Sequence, residues 1–208
     1  MKNLPRFRAV IFCLIFIAVP ALLCAQTQPA APAAPAAPAA PAAPAKPAEP
    51  AQAAKITPEA KPGDVDTIEH LLAAVYDVIS GPAGQPRDWD RFRSLFYPNA
   101  ARMIPSGRNP AGVVFARSST PEEYITRATP FFEKEGFFEG SVANRIESWD
   151  HLAEAWSTYE SRHEKGGAPF ARGINNFQFV HDGKRWWVLT IYWESEDPAH
   201  PIPEKYLK

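Results

Sequence analysis

The chain has 208 residues, of which 46% are hydrophobic and 22% are charged, and its formal net charge at pH 7 is −1. Without the three basic residues of the N-terminal segment, 19 basic residues stand against 23 acidic ones. A mildly acidic chain with no basic stripe argues against binding to nucleic acid. Both cysteines, Cys13 and Cys24, lie near the N-terminus. If that segment is removed on export, the remaining chain has no thiol, which excludes disulfides, thiol catalysis and cysteine-ligated metals.

Residues 1–25 have the layout of a secretory signal peptide. A basic start precedes an apolar run of about 15 residues, which is shorter than the roughly 20 that a membrane-spanning helix needs. Ala25 supplies the small residue expected before a cleavage site. We therefore predict export, to the periplasm or as a secreted protein. An uncleaved membrane anchor stays open as the alternative, and lipidation at Cys24 is disfavoured because the bulky Leu23 precedes it.

Residues 26–63 are rich in proline and alanine, with a proline at every third position from Pro29 to Pro50. Polyproline II has three residues per turn and rises about 3.1 Å per residue, so this repeat predicts a stiff, extended linker without a core. Such a disordered region can hold the following domain away from a membrane or wall. An inert tail is the other interpretation.

Residues 64–208 are predicted to fold as one domain that begins with helices. Apolar residues at spacings of three and four indicate an amphipathic helix that ends at Gly81. These residues are Ile68, Leu71, Leu72, Val75, Val78 and Ile79. A shorter helical pattern follows. A third helix begins with a capping box formed by Thr120 and Glu123, and Pro130 should kink or end it.

From residue 137 onward the pattern is that of long strands. Two pairs, FFEGSVANRIES with LAEAWSTYESRH and FARGINNFQFV with KRWWVLTIYW, are each joined by a short turn, and Asp182-Gly183 is a strong hairpin signal. Two short strands, ARMIP and GVVFARS, precede them. The order predicts an α+β domain in which N-terminal helices pack on one face of a curved antiparallel sheet.

This order, together with RGINNFQFVHDGKRWWVLTIYW and the closing YWESE, resembles the nuclear transport factor 2-like (NTF2-like) superfamily. That α+β cone fold also includes SnoaL-like and ketosteroid isomerase-like proteins. The segments STYESRH and PIPEKYL are similar to an exported bacterial subfamily whose function is unassigned. The resemblance covers nearly all of residues 64–208. It implies the fold but not an activity, because this fold hosts enzymes, binders and scaffolds alike.

The resemblance also implies a use for each face of the sheet. The concave face and the helices would enclose a mostly apolar pocket, with Leu189 and Trp193 on the pocket side. Trp186, Val188 and Tyr192 would lie on the convex face, where an apolar patch of that size indicates an interface. We therefore predict a homodimer through the convex sheet face.

Matching to the isomerase-like relatives tests the chemistry of the pocket. Those proteins hold a carbonyl oxygen with a tyrosine of the first helix and an acid of the penultimate strand, positions that fall on Tyr76 and Asn176 here. Both side chains can donate a hydrogen bond. The carboxylate that moves the proton falls near Ile104, where no side chain accepts a proton. The match implies a site that binds an oxygen without enolising its neighbour, which speaks against an isomerase.

Strand pairing is expected to place further polar side chains beside Asn176. Ser157 and Tyr159 share one face of the strand STYESRH, and we expect that face to lie toward the pocket. A few polar groups in an apolar pocket are typical of a ligand site. Buried hydroxyl groups that are satisfied by their neighbours are the structural alternative. Glu160 and Arg162 are expected to form a solvated ion pair on the other face.

No metal site and no cofactor are predicted. His151 and His163 lie twelve residues apart, which is roughly 40 Å at about 3.3 Å per residue, so they cannot share a metal on an unbroken strand. Arg172 could hold a ligand carboxylate, but pairing with Glu160 or Glu194 is the favoured interpretation.

The sequence thus predicts a domain that binds a small, largely apolar ligand without catalysing a reaction. One alternative is a SnoaL-like lyase, cyclase or isomerase acting on a polyketide- or steroid-like carbonyl compound, with His163 or Glu160 as the base. The other is a protein-interaction module whose pocket is filled by side chains such as Trp187 and Trp193. A cavity of about a few hundred cubic ångströms would favour a ligand site. A buried carboxylate or histidine that faces it would favour the enzyme.

Overall fold

A computed structural model describes residues 57–208, so the predicted signal peptide and most of the predicted linker lie outside the described residues. The helices are α1 (Ile68–Ile79), α2 (Trp89–Leu95) and α3 (Pro121–Phe132). The strands are β1 (Arg102–Arg108), β2 (Val114–Ala116), β3 (Phe138–Trp149), β4 (Leu152–Arg162), β5 (Pro169–His181) and β6 (Trp186–Ser195). Short 3-10 turns lie at Pro62–Asp64 and Glu204–Tyr206. Within this part of the chain, no helix is long and apolar enough to cross a membrane.

The helices form where their ends are capped and their apolar residues share one face. The Thr67 side chain accepts the His70 N–H at the start of α1, and this helix buries eight of its 12 residues. The predicted capping box of Thr120 and Glu123 begins α3. Pro130 lies in the last turn of α3, which ends at Phe132.

The six strands form one sheet in the order β2-β1-β6-β5-β4-β3. Strands β3 to β6 make the predicted antiparallel meander. The pairing of β1 with β6 is parallel, so the sheet is mixed rather than antiparallel throughout. The cause is topological, because α3 carries the chain to the opposite edge, where β3 begins, and the successive hairpins return β6 beside β1. The predicted α+β class, with helices packed on one face of the sheet, is confirmed.

A β-bulge in β6 changes which side chains face the helices. Val188 pairs with Phe179, whereas Thr190 pairs with the residue just before Phe179, so Leu189 is an extra residue between the two pairs. An extra residue reverses the alternation of side chains on either side of it. The simple period-two pattern of the sequence therefore fails in the first half of β6.

The bulge overturns part of the predicted assignment of faces. Val188 is fully buried in the core, and Trp186 packs against the same core, so neither lies on the convex face where we predicted it. Tyr192, beyond the bulge, does face outward and is 44% exposed. Leu189 is half-buried and does not line the cavity described below.

The C-terminal segment covers part of the outer face of the sheet. The Tyr206 ring stacks on Trp156 with ring centroids 5.1 Å apart, and Thr158 Oγ1 donates a hydrogen bond to the Tyr206 carbonyl oxygen. Thr158 has no exposed surface. The convex face that we predicted as a dimer interface is therefore partly covered by the chain itself.

Candidate functional site: a cavity with a buried carboxylate

The inner face of the sheet and helices α1 and α3 enclose a cavity of about 420 Å³. Tyr76 from α1, Tyr124 from α3 and Trp193 from β6 are among the residues that line it. Its volume is in the range of small-molecule sites. The alternative in which Trp193 and its neighbours fill the cone is therefore not what the structure shows.

The wall of this cavity is largely aromatic. Its ten aromatic residues are Tyr76, Phe92, Tyr124, Phe131, Phe132, Phe137, Tyr159, Phe170, Phe177 and Trp193. Phe131 and Phe170 both contact Phe137 and are also exposed, so the cavity reaches the surface beside them. A ligand can therefore enter without unfolding of the domain.

One carboxylate, that of Glu139 near the start of β3, lines the cavity. Ser80, which follows α1, accepts the Glu139 N–H (3.0 Å) and so fixes this strand against the helix. The Ser161 hydroxyl donates to Glu139 Oε2 (2.6 Å), and Asn175 Nδ2 donates to Oε1 (3.4 Å). Burial raises the pKa of Glu139 to about 7, and the two hydrogen bonds offset only part of this effect. Near neutral pH the carboxyl group therefore exists in both protonation states.

Asn175 connects Glu139 to a second polar group. Its Nδ2 also donates to the Tyr76 hydroxyl (3.1 Å), and that hydroxyl shares a hydrogen bond of 2.6 Å with Ser157 Oγ. Burial raises the pKa of Tyr76 well above its usual range, so the phenol keeps its proton. These groups form a polar patch in an otherwise aromatic cavity.

Tyr159 places another hydroxyl group in the cavity. It shares a hydrogen bond of 2.8 Å with Ser195 Oγ, and burial raises the pKa of Tyr159 to about 12. Gly173 pairs with Tyr159 across the sheet, and a Cβ at that glycine would stand 2.6 Å from the tyrosine hydroxyl oxygen. The absence of a side chain at Gly173 therefore gives the Tyr159 ring its space.

Four of the six predicted ligand-binding residues are brought together. Tyr76, Tyr159 and Trp193 line the cavity. Ser157 is fully buried and contacts the Tyr76 hydroxyl. Leu189 is separated from this group because it is the bulged residue of β6.

Asn176 is the second predicted residue that the structure places elsewhere. It pairs with Trp156 and Tyr192 and borders a groove on the outer face, and its Nδ2 has no hydrogen-bond partner in residues 57–208. Its neighbour Asn175 takes the predicted place in the cavity. Side chains alternate between the two faces of a strand, so a shift of one residue in the match to the isomerase-like proteins placed Asn176 instead of Asn175 on the cavity face.

The carboxylate of the cavity comes from a strand for which the sequence suggested no site residue. On β1, Met103 and Pro105 line the cavity and Ile104 does not. Glu139 instead pairs with Ser161, on the same face of β4 as Tyr159. No local sequence signal marks Glu139, because its place beside the predicted polar face of STYESRH depends on the register of β3 against β4.

The two residues that we considered as alternative bases do not line the cavity. His163 is exposed, and Glu160 forms the predicted ion pair with Arg162. Arg172 also has the predicted structural role, although its partner is Glu196 (2.5 Å) rather than one of the acids named from the sequence. No group of three His, Asp or Glu side chains in the described part of the chain could hold a metal ion.

Comparisons with known proteins concern the fold. No protein-family profile and no curated protein sequence matches the chain. A protein of unknown function with a cystatin-like fold from Nostoc punctiforme PCC 73102 is 13% identical, with a TM-score of 0.48, over 64% of this chain and 91% of its own. An NTF2-like protein of unknown function from Pseudomonas putida KT2440 is 11% identical, with a TM-score of 0.44, over 65% and 87%. One description names a cystatin-like fold and the other an NTF2-like protein, and neither names a ligand.

Proposed function

We propose that the domain binds a small, largely apolar molecule in its cavity, with one polar group of the ligand at the Glu139, Asn175 and Tyr76 patch. The observation that carries this proposal is the combination of an open 420 Å³ cavity, an aromatic wall and one buried polar patch. Ligand sites in proteins have this composition, in which apolar surface supplies affinity and a few polar groups supply orientation.

Replacing Trp193 with alanine is expected to weaken binding of the uncharged fluorescent probe N-phenyl-1-naphthylamine by roughly ten-fold or more, because the cavity loses a large apolar wall. Fluorescence titration measures the affinity. Trp149→Ala is the matched control, since Trp149 is 75% exposed at the β3–β4 turn and does not line the cavity. A folded Trp193→Ala protein with wild-type affinity would show that the probe binds elsewhere.

Proton transfer is a second candidate function, and the Glu139 carboxylate is the observation that favours it. Its pKa of about 7 suits a general acid or base, and Tyr76 and Asn175 could hold a carbonyl oxygen nearby. This is the SnoaL-like alternative, a lyase, cyclase or isomerase. The test is exchange of the α-protons of 2-tetralone in D₂O, measured by NMR. Exchange that the wild-type protein catalyses and Glu139→Gln does not would favour the enzyme. If the wild-type protein and Glu139→Gln both show only the exchange rate of the solvent, the domain binds a ligand without catalysing proton transfer.

Export and dimerisation stay predictions from the sequence. We propose that the exported chain begins at Gln26 and forms a homodimer through the part of the outer face around Tyr192, without Trp186 and Val188. Native mass spectrometry of the protein from the exported fraction should then show two chains that lack residues 1–25. Tyr192→Lys should give monomers. A monomeric wild-type protein would rule out the dimer, and a chain that begins at Met1 would rule out cleavage.

A further inference from the structure

The Glu139 carboxylate has no cationic partner within residues 57–208. Its side-chain contacts are the neutral Ser161 hydroxyl and the neutral Asn175 amide. Arg127 is the one cationic residue that lines the cavity in this part of the chain, and its Nη2 donates to Ser119 Oγ (2.9 Å) instead. No cation within the described part of the chain therefore neutralises the negative charge of Glu139.

Elsewhere the chain pairs partly buried carboxylates with arginine. Asp64 accepts two hydrogen bonds from Arg91, and Glu196 accepts one from Arg172. Moving a carboxylate out of water costs free energy that neutral hydrogen bonds do not fully offset, so a buried carboxylate takes up either a cation or a proton. Glu139 is open to the cavity, so a ligand can supply that cation.

The residues around Glu139 also suit a positive charge. Aromatic rings attract a cation placed over their faces. Tyr76, Tyr124 and Tyr159 line the cavity and lie close enough to Glu139 for its negative charge to contribute to raising the pKa of each phenol. A cation bound beside the carboxylate would therefore also contact electron-rich aromatic surface.

We propose that the ligand of this cavity is a hydrophobic amine, with its ammonium group paired to Glu139 and its apolar part against the aromatic wall. This inference rests on the proposed ligand-binding function and specifies the chemistry of the ligand. A ligand carboxylate would be repelled by Glu139, and an uncharged ligand would leave the charge of Glu139 without a partner.

Three probes with the same apolar part test the inference by isothermal titration calorimetry at pH 8. They are 4-phenylbutylamine, 4-phenyl-1-butanol and 4-phenylbutyrate. We expect the wild-type protein to bind the amine at least about ten-fold more tightly than the alcohol, and the acid most weakly. Glu139→Gln should reduce the affinity for the amine to that for the alcohol, whereas Glu139→Asp should keep a preference for the amine. Glu147→Gln is the control, because Glu147 lies on the same strand but is exposed beside Arg145.

The affinity for the amine should also rise between pH 6 and pH 8, while the affinity for the alcohol should not. Over this range Glu139 loses its proton, since its pKa is about 7. Burial raises the pKa of the three tyrosines of the cavity above this range, so their phenols keep their protons. Glu139 also borders a second groove, which is lined by Arg162, Lys165 and Asp77 as well, and Arg162 is paired with Glu160.

The outcomes separate the inference from the proposed function. Equal affinities for amine and alcohol, or a preference for the amine that survives in Glu139→Gln, would overturn the amine inference and leave the ligand site intact. Failure of all three probes and of N-phenyl-1-naphthylamine to bind would overturn the ligand site as well. A ten-fold preference that Glu139→Gln abolishes and Glu147→Gln preserves would establish both.

Discussion

Gly173→Ala is expected to lower the free energy of unfolding by about 3 kcal/mol or more, which is at the upper end for an added methyl group in a packed core. The new Cβ would stand 2.3 Å from the Glu194 carbonyl oxygen and 2.6 Å from the Tyr159 hydroxyl oxygen. The carbonyl belongs to the neighbouring strand and cannot move without loss of sheet pairing. Urea denaturation followed by tryptophan fluorescence measures the change.

Gly140→Ala is the matched control for this substitution. Gly140 also lies in a strand of the same sheet, but a Cβ there would meet no atom within 4 Å. Its stability should stay within about 1 kcal/mol of wild type, because alanine at an open strand position changes mainly backbone entropy. Similar midpoints for the two variants would show that the space around Gly173 is not needed. If Gly173→Ala does fold, it should bind N-phenyl-1-naphthylamine weakly, since Tyr159 would be displaced into the cavity.

Glu139→Gln is expected to raise the free energy of unfolding at pH 8 by roughly 3 kcal/mol, because one pKa unit corresponds to about 1.4 kcal/mol. Burial raises the pKa of Glu139 from its ordinary value of 4.5 to about 7 in the folded protein. A carboxyl group of this kind binds its proton more tightly when folded. Its contribution to stability is therefore fully present below pH 4.5 and is lost as the pH rises through 7. Glutamine keeps the shape of the side chain without the charge.

The pH dependence of this effect is its sharpest test. The stability difference between Glu139→Gln and wild type should be near zero at pH 4.5 and should grow until about pH 8. Glu147→Gln should show no such growth, because Glu147 is exposed on the same strand. Equal stabilities of wild type and Glu139→Gln at pH 8 would mean that the Glu139 carboxylate is not buried in solution. A group that destabilises the empty domain at neutral pH is more readily explained by ligand binding than by folding.

The helices and the strand meander could be predicted from the sequence because each depends on local patterns. Each of these signals involves only residues that are close in sequence. They are the spacing of apolar residues from Ile68 to Ile79, the Thr120 cap and the Asp182-Gly183 turn. Tyr76 and Trp193 are placed on the pocket side by the resemblance to the isomerase-like proteins, and both line the cavity.

The details of the site depend on register between strands, which no local pattern records. The bulge at Leu189 reversed the faces of Trp186 and Val188, and a difference of one residue exchanged Asn176 for Asn175. Glu139 faces the cavity only because β3 pairs with β4 in one particular register, and a second bulge follows it in β3.

The parallel pairing of β1 with β6 has a consequence for how the protein is made. Strand β6 lies between β1 and β5 in the sheet, although it is the last of the six strands to leave the ribosome. Until β6 emerges, the first two strands have no partner that joins them to the meander, and the floor of the cavity lacks Trp193. A nascent domain of this kind exposes apolar surface until its last strand is in place, and its many distant contacts predict slow folding.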